Sequence, residues 1–246
     1  MIKEIKSINN SYIKELAKLK IKKNRDIEKR FLVEGYHLID MAKDYIETIL
    51  ISDIKDYNII NNKEYILVTK EIINKLASTQ SPQGIIAVVK TKEEGIKEGN
   101  VLILDNLQDP SNVGTLIRSA LAFNITNIIL SNDCVDIYND KVIRGSQGSI
   151  FKINYQYGNI VNIIEKLKTK NYHIYGTALE NGIELDKVKL HDRFALILGN
   201  EGNGINKEIL SKTDVNIFIP ISQSIDSLNV AVAGGILMHE FSKLKK

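Results

Sequence analysis

Phe194–Ile205 reads FALILGNEGNGI: five apolar residues, Phe194 to Leu198, run directly into Gly199, Asn200, Glu201, Gly202, Asn203 and Gly204. An apolar run closed by a polar, glycine-rich segment predicts a buried strand that opens abruptly into a turn. A second stretch of the same form lies at 217–241, IFIPISQSIDSLNVAVAGGILMHEF. There Ile217–Ile219 meets Pro220, passes through a polar loop and enters an apolar helix at about Ser227. Open α/β sheets place their sites beyond the carboxyl ends of parallel strands. Two such strands ending on one edge would gather Glu201, Ser227 and Asn229.

Working outward, Val101–Leu104 is a continuous apolar run of the kind covered on both faces of a parallel sheet. It leads into DNLQDPSNVGTLIRSALAFN, where Asp109 or Ser111 can cap a helix beginning near Asn112. Leu116, Ile117, Ala120, Leu121 and Phe123 form its core stripe. Gly114 and Arg118, four apart, share a face, and the glycine leaves the backbone open to close approach. On spacing alone a solvated helical arginine is the other reading of Arg118. Strands follow at 127–130, after Ile153, at 172–177 and at 215–219, with helices at 160–167, 205–210 and 228–244. A polar, glycine-punctuated connection runs from Ser131 to Ile153. Within it Arg144 reads equally as a phosphate ligand or a surface ion pair. The last helix, with Val230, Val232, Ala233, Ile236 and Leu237, has almost no polar face, which suits burial or an oligomer interface.

Towards the amino terminus, Thr91–Asn100 is charged and carries Gly95 and Gly99. It reads as a linker over 93–100 between a first domain at 1–92 and a second at 101–246. The first domain alternates strand and helix: a helix or two between Lys3 and Lys22, strands at FLV (31–33), 46–52, 65–68 and GIIAVV (84–89), and helices at 36–42 and near 69–76. Met1–Arg30 carries ten basic against four acidic residues, a local net charge of +6, while the whole chain carries only +3. Lys22, Lys23, Arg25 and Arg30 therefore read as a polyanion-facing group, able to follow a phosphate backbone without reading bases. A solvated, solubilising helix accounts for the charge equally well.

The 246 residues, 43% hydrophobic and 26% charged, describe a globular chain large enough for one or two cores. No apolar run approaches the roughly 18 residues of a membrane span, and the first residues lack a secretion signal, so a cytoplasmic protein with no membrane partner is expected. One cysteine, Cys134, excludes an internal disulfide and leaves too few thiolates for a cysteine-rich zinc site.

Three ordered motifs give the chain a family resemblance. They are Asn112-Val-Gly114 with Arg118 four residues on; Leu198-Gly199-Asn200-Glu201-Gly202 followed by Gly204; and Ile219-Pro220 with Ser227-Leu228-Asn229-Val230-Ala231-Val232. Each is weak alone, and together at these distances they are specific. The chain resembles the SpoU (TrmH-like) branch of the SPOUT superfamily, RNA ribose 2'-O-methyltransferases that use S-adenosylmethionine. The FLVEG stretch after a basic start is similar to the L30-like substrate-binding domain of many members. The resemblance implies an α/β SPOUT domain with a deep trefoil knot, preceded by a small L30-like α/β domain, and a homodimer formed through the knotted domain.

By the same resemblance, cofactor contacts fall on Thr177, Leu198, Gly199, Ile219 and Leu228. Arg118, Asn112, Glu201, Ser227 and Asn229 form the catalytic group. Arginine's very high pKa favours phosphate clamping by Arg118 over service as a base. Asp226 stands where relatives commonly have glutamate, and Ile221–Ile225 is less glycine-rich and less basic than in many of them. No metal is implied. The amino-terminal domain points to 23S ribosomal RNA as substrate, with transfer RNA methylation or noncatalytic RNA binding as the alternatives.

Overall fold

A computed structural model describes residues 2–245. The chain forms two compact units, Met1–Glu93 with Asp136–Phe151, and Glu94–Val135 with Lys152–Lys246.

The first unit contains strands β1 (Lys3–Ile5), β2 (Arg30–Glu34), β3 (Ile46–Ile51), β4 (Glu64–Val68) and β5 (Ile85–Lys90), and helices α1 (Ser11–Lys18), α2 (Lys22–Glu28), α3 (Tyr36–Met41) and α4 (Lys70–Leu76). The sheet runs β1-β4-β3-β5-β2 and is mixed, with β5 antiparallel to both its neighbours. Ile13 and Leu16 of α1 meet Ile72, Ile73 and Leu76 of α4 above Leu50, Ile66, Ile86 and Val88. The helix expected from Lys3 is a strand at its start. Lys3, Glu4 and Ile5 pair in parallel with Ile66, Leu67 and Val68, and α1 begins only after Asn10, whose side chain accepts from the Tyr12 N–H. Pairing with β4 satisfies backbone groups that a three-residue, lysine-flanked segment cannot satisfy by itself.

The expected polar connection from Ser131 to Ile153 does not lie wholly in the second unit. Asp136–Phe151 packs in the first unit and contains helix α6, here following α5 (Pro110–Ala122) in chain order and spanning Asp140–Gly145. Its aromatic residues give the reason: the Tyr138 ring lies 4.4 Å from that of Phe31, and Phe151 stacks on Phe31 at 6.3 Å. The Lys92 N–H donates to the Tyr138 hydroxyl at 2.8 Å. Gly148 has φ +82°, and a Cβ there would meet Met41 at 2.7 Å. The expected linker is also tied down. Gly95 N–H donates to the Tyr155 carbonyl at 2.7 Å, Lys97 N–H to Asn127 Oδ1 at 2.9 Å, and Phe194 N–H to Asn100 Oδ1 at 3.1 Å.

The second unit carries β6 (Val101–Leu104), β7 (Asn127–Ser131), β8 (Asn154–Gly158), β9 (His173–Thr177), β10 (Ile183–Glu184), β11 (Phe194–Leu198) and β12 (Val215–Phe218). Besides α5 it holds α7 (Ile160–Lys168), α8 (Lys207–Leu210) and α9 (Val230–Ser242). Its sheet order is β10-β12-β9-β11-β6-β7-β8, every pairing parallel. β6 and β11 are buried along their whole length, as helices on both faces require. Ile163, Ile164 and Leu167 of α7 and Ile209 of α8 share one core with Ile103, Ile129, Ile174 and Ile197. α5 and α9 pack on one another, and a Cβ at Gly234 would meet Leu116 at 2.4 Å and Leu198 at 2.7 Å. Glycine at 234 is what lets the α9 backbone approach this closely. Among the described residues no helix is long and apolar enough to cross a membrane.

Candidate active site

Register puts three loops on one edge of the second sheet. Leu198 of β11 lies opposite Leu104 of β6, and Thr177 of β9 lies opposite Ile217 of β12. The Thr177 hydroxyl donates to the Ile197 carbonyl at 3.2 Å, and the Ala178 N–H to that of Ile217 at 3.2 Å. The strands β12, β9 and β11 are neighbours, so the segments after Thr177, Leu198 and Phe218 all leave from carboxyl ends at one level.

A hydrogen-bond chain joins the loops after Leu198 and Phe218 to α5. Asn229 Nδ2 donates to Asn112 Oδ1 at 3.0 Å, and Asn112 Nδ2 donates to Glu201 Oε1 at 2.8 Å. An ionised carboxylate only accepts, so Glu201 fixes which end of the Asn112 amide faces it, and Asn112 in turn fixes Asn229. Asn229 also caps α9, its Oδ1 accepting from the Ala231 and Val232 N–H groups at 2.9 and 3.3 Å. Such a cap satisfies two backbone donors that the helix leaves open. Asn112 is buried, 8% exposed, on the first turns of α5, whose own cap is Asp109 accepting from Ser111 N–H at 2.8 Å. A buried asparagine with both amide ends engaged is a rigid tie, and truncating it would strand its partners.

The loop after β11 turns back on itself. Asn200 and Gly204 exchange backbone hydrogen bonds at 3.0 and 2.9 Å, and a Cβ at Gly199 would meet the Gly204 carbonyl carbon and Ile205 nitrogen at 2.3 Å. Two side chains outside the expected site set hold this turn. Asn200 donates to the Asn106 carbonyl at 2.8 Å and accepts from Gly202 and Asn203 N–H, while Asp105 Oδ2 accepts from Asn206 N–H at 3.0 Å. Their signal in the sequence is position: Asp105 directly follows β6, and Asn200 lies inside the quoted motif.

Of the expected catalytic group, the structure joins Asn112, Glu201 and Asn229 by direct hydrogen bonds. Arg118 is exposed on α5 and makes no ion pair or hydrogen bond among the described residues, whereas Gly114, expected to share its face, is buried. Ser227 is exposed in the loop preceding α9, which begins two residues later than expected because Asn229 is its cap. The expected cofactor residues line the three loops: Leu198 and Gly199 are buried, and Thr177, Ile219 and Leu228 half-buried. This edge fits an adenosine. The closed glycine turn presents main-chain groups, and Ile219 and Leu228 offer apolar surface.

In the first unit the expected RNA-facing cations divide. Lys22 and Lys23 are exposed, with Lys22 only 3.9 Å from Asp26. Arg25 is buried, contrary to the expectation of a mobile surface cation: its Nε donates to Asp136 Oδ2 at 3.0 Å and its Nη1 to the Leu19 carbonyl at 2.8 Å. Arg30 faces Glu15, Glu28 and Glu47. Arg144 donates to Asp140 at 2.7 Å and to Ser78 Oγ at 2.6 Å, the ion-pair reading of that residue. Among the described residues no cluster of three or more His, Cys, Asp or Glu is placed to hold a metal.

Residues 99–239 match the SpoU rRNA Methylase family, and residues 10–87 match the MRM3-like substrate binding domain. The chain is 36% identical to the 23S rRNA (guanosine(2553)-2'-O)-methyltransferase RlmP of Bacillus subtilis (strain 168), over 97% of this chain and 98% of that protein. Among solved structures, an AdoMet-bound rRNA methyltransferase from Sinorhizobium meliloti superposes with a TM-score of 0.88 at 25% identity, covering 99% and 98% of the two chains. A TrmH-family protein from Porphyromonas gingivalis does so with a TM-score of 0.87 at 27% identity, covering 97% and 100%.

Proposed function

The chain belongs to the SpoU rRNA methylase family, S-adenosylmethionine-dependent RNA ribose 2'-O-methyltransferases with a SPOUT-type, knot-forming domain, and from that premise we propose that its substrate is 23S ribosomal RNA. The observation that carries the assignment of the site is the Asn229–Asn112–Glu201 chain, which ties two loops and two helices together where parallel strands end. The choice of RNA is supported by the Bacillus subtilis relative, which aligns along nearly the whole of both chains.

S-adenosylmethionine, when bound, supplies an electrophilic methyl group carried on a sulfonium. Gly199 and Leu228 would hold the adenosine through main-chain groups, Ile219 would offer it an apolar wall, Leu198 would contribute its backbone from the buried end of β11, and Thr177 would contact it from the end of β9. The planar guanidinium fork of Arg118 matches phosphate oxygens, so it clamps an RNA phosphate and thereby orients the neighbouring 2'-hydroxyl. Asn112, Glu201 and Asn229 act through the loops they order, because a misplacement of the reacting atoms by about 1 Å costs on the order of 100-fold in rate. Ser227, exposed beside them, adds a hydroxyl toward the substrate. Lys22 and Lys23 attract the RNA backbone, whereas Arg25, Arg30 and Arg144 keep the first unit folded around their carboxylates.

Two copies associate through α9. Val232 is 52% and Ile236 39% exposed on adjacent turns of that helix, with Ile225 at 51% in the loop before it, a strip of apolar surface that a second chain would cover. Work on ribosomal RNA assigns the protein to the cytoplasm.

The test incubates purified protein and radiolabelled S-adenosylmethionine with unmodified ribosomal and transfer RNA pools, with Arg118→Ala protein alongside. Label in an alkali-resistant linkage of 23S RNA, absent with the variant, is the expected result. Label in transfer RNA alone would overturn the substrate, and equal turnover by the variant would overturn the role of Arg118.

A further inference from the structure

The opposite edge of the second sheet carries an open cleft of about 480 Å3, at the amino ends of β9, β11 and β12, bordered by Lys168, Tyr172, His173, His191, Arg193 and Asp214. Two stacks of flat groups end in it. The His191 imidazole lies on that of His173, centroids 4.2 Å apart and planes 21° apart; His173 leans on Tyr175 at 4.8 Å, and Tyr175 meets Phe241 in the core at 4.9 Å. Beside this ladder the Arg193 guanidinium lies over the Tyr172 ring at 4.7 Å.

Both stacks are pinned from behind. The Tyr175 hydroxyl accepts from the His191 N–H at 3.0 Å and donates to the Lys189 carbonyl at 3.1 Å, which it can do at any physiological pH because burial pushes its pKa up to about 12. The Tyr172 hydroxyl donates to the Gly99 carbonyl at 2.7 Å. Burial, and then the neighbouring His191, lower the pKa of His173, so the imidazole stack is not self-repelling near neutrality. The outermost members, His191 and Arg193, are nevertheless exposed. Flat groups held in fixed orientation at a surface are what an unpaired base needs, since imidazole and guanidinium planes both stack nucleobases.

Charge narrows the ligand. Lys168 answers Asp214 at 2.7 Å, and Asp214 also accepts the Ile174 N–H at 2.8 Å. Arg193 is followed in the lining by its exposed chain neighbour Asp192, so two cations and two carboxylates border the cleft and their charges balance; it offers flat surfaces and little net charge, which disfavours a nearly doubly charged free nucleotide. β9 has five residues, so at about 3.3 Å per residue the cleft lies roughly 15 Å from the methyl-transfer edge. It would therefore grip a different nucleotide from the one modified.

We propose that this cleft is a stacking platform for an unpaired nucleotide of the RNA substrate, with His191 and Arg193 as the contacting planes. The proposal rests on the RNA-methylating reading above, and its test separates the two. A fluorescent single-stranded hexanucleotide RNA is titrated into the full chain, without methyl donor, for wild type, His191→Ala, Arg193→Ala and His191→Phe, each first checked for unchanged thermal unfolding. Loss of one base stack should weaken binding about tenfold in each alanine variant. His191→Phe, which keeps a flat ring, should bind like wild type. Unchanged affinity in both alanine variants would overturn the platform even if methylation of 23S RNA stands, and so would a His191→Phe defect equal to that of His191→Ala. Absence of methylation alongside the expected binding pattern would instead strike the catalytic reading and leave the platform in place.

Discussion

In the first unit Arg25, Arg30 and Arg144 each face carboxylates, and Arg25 does so while 7% exposed. In the second, Arg118 projects from α5 with no ion pair or hydrogen bond among the described residues, while Asn112 and Asn229 are neutral amides ordered by the Glu201 carboxylate. The two units carry arginines of the same chemistry in opposite states. A guanidinium buried against Asp136 and a main-chain carbonyl is shut away from an RNA phosphate, whereas an exposed, unpaired one presents its five donors. The difference teaches that a run of basic residues locates charge, and that only the neighbours of each cation decide whether it is available.

The largest effect should come from breaking the free arginine. Arg118→Ala is expected to reduce methyl transfer by about 1,000-fold, the scale of removing one charge-stabilising donor from an active site, with urea unfolding changed by no more than about 0.5 kcal/mol. A large stability loss in that variant would put Arg118 in the same class as Arg25. Arg25→Ala should do the reverse, costing about 3 kcal/mol in urea unfolding because it leaves the Asp136 carboxylate buried and unpaired. The double variant with Asp136→Ala should recover part of that loss, and strict additivity would argue that the two side chains are not coupled.

A smaller effect is expected for Lys22→Ala with Lys23→Ala. RNA binding should weaken by a few fold, and the slope of log affinity against log salt should flatten by about 1 to 2, roughly 0.7–0.9 per lost phosphate contact. An unchanged slope would remove α2 from the RNA footprint. The smallest effect concerns His173, whose pKa lies below the ordinary 6.5 through burial and its proximity to His191. Above pH 6.5 neither the folded nor the unfolded form is protonated there, and the contribution is fully present. As pH falls below 6.5 the unfolded chain takes up the proton first, so stability declines until the folded pKa is passed. Melting temperature should therefore drop between pH 7 and pH 5.5 by more in wild type than in His173→Gln, and equal drops would show that other groups carry the acid sensitivity.

Much of the second unit was legible in the linear chain because its strands are short apolar runs closed by punctuating residues. FALIL, VLIL and NIIL all form buried parallel strands, and the polar motifs after VLIL, FALIL and β12 supply Asn112, Glu201 and Asn229. Less legible was the segment at 136–151. It reads as a polar connection within one domain, yet Tyr138 and Phe151 pack against Phe31, more than a hundred residues earlier, and carry α6 into the first unit. The same distance hid the role of Arg25, since its partner Asp136 lies 111 residues away. The opening strand was missed because three residues have too little period to betray a strand until β4 is there to pair with them.

By itself the sequence determined the alternation of elements, the family, and the residue types that converge after β6, β11 and β12, because hydrophobic period and glycine position are local properties. Tertiary structure alone decided which arginines are occupied, that Asn112 is the centre of an oriented amide chain, and that His191 and Arg193 finish two stacks beginning at Tyr175 and Tyr172. Those outcomes depend on side chains brought together by strand order and not by spacing along the chain, and a hydrogen bond or a ring stack exists only when both partners arrive.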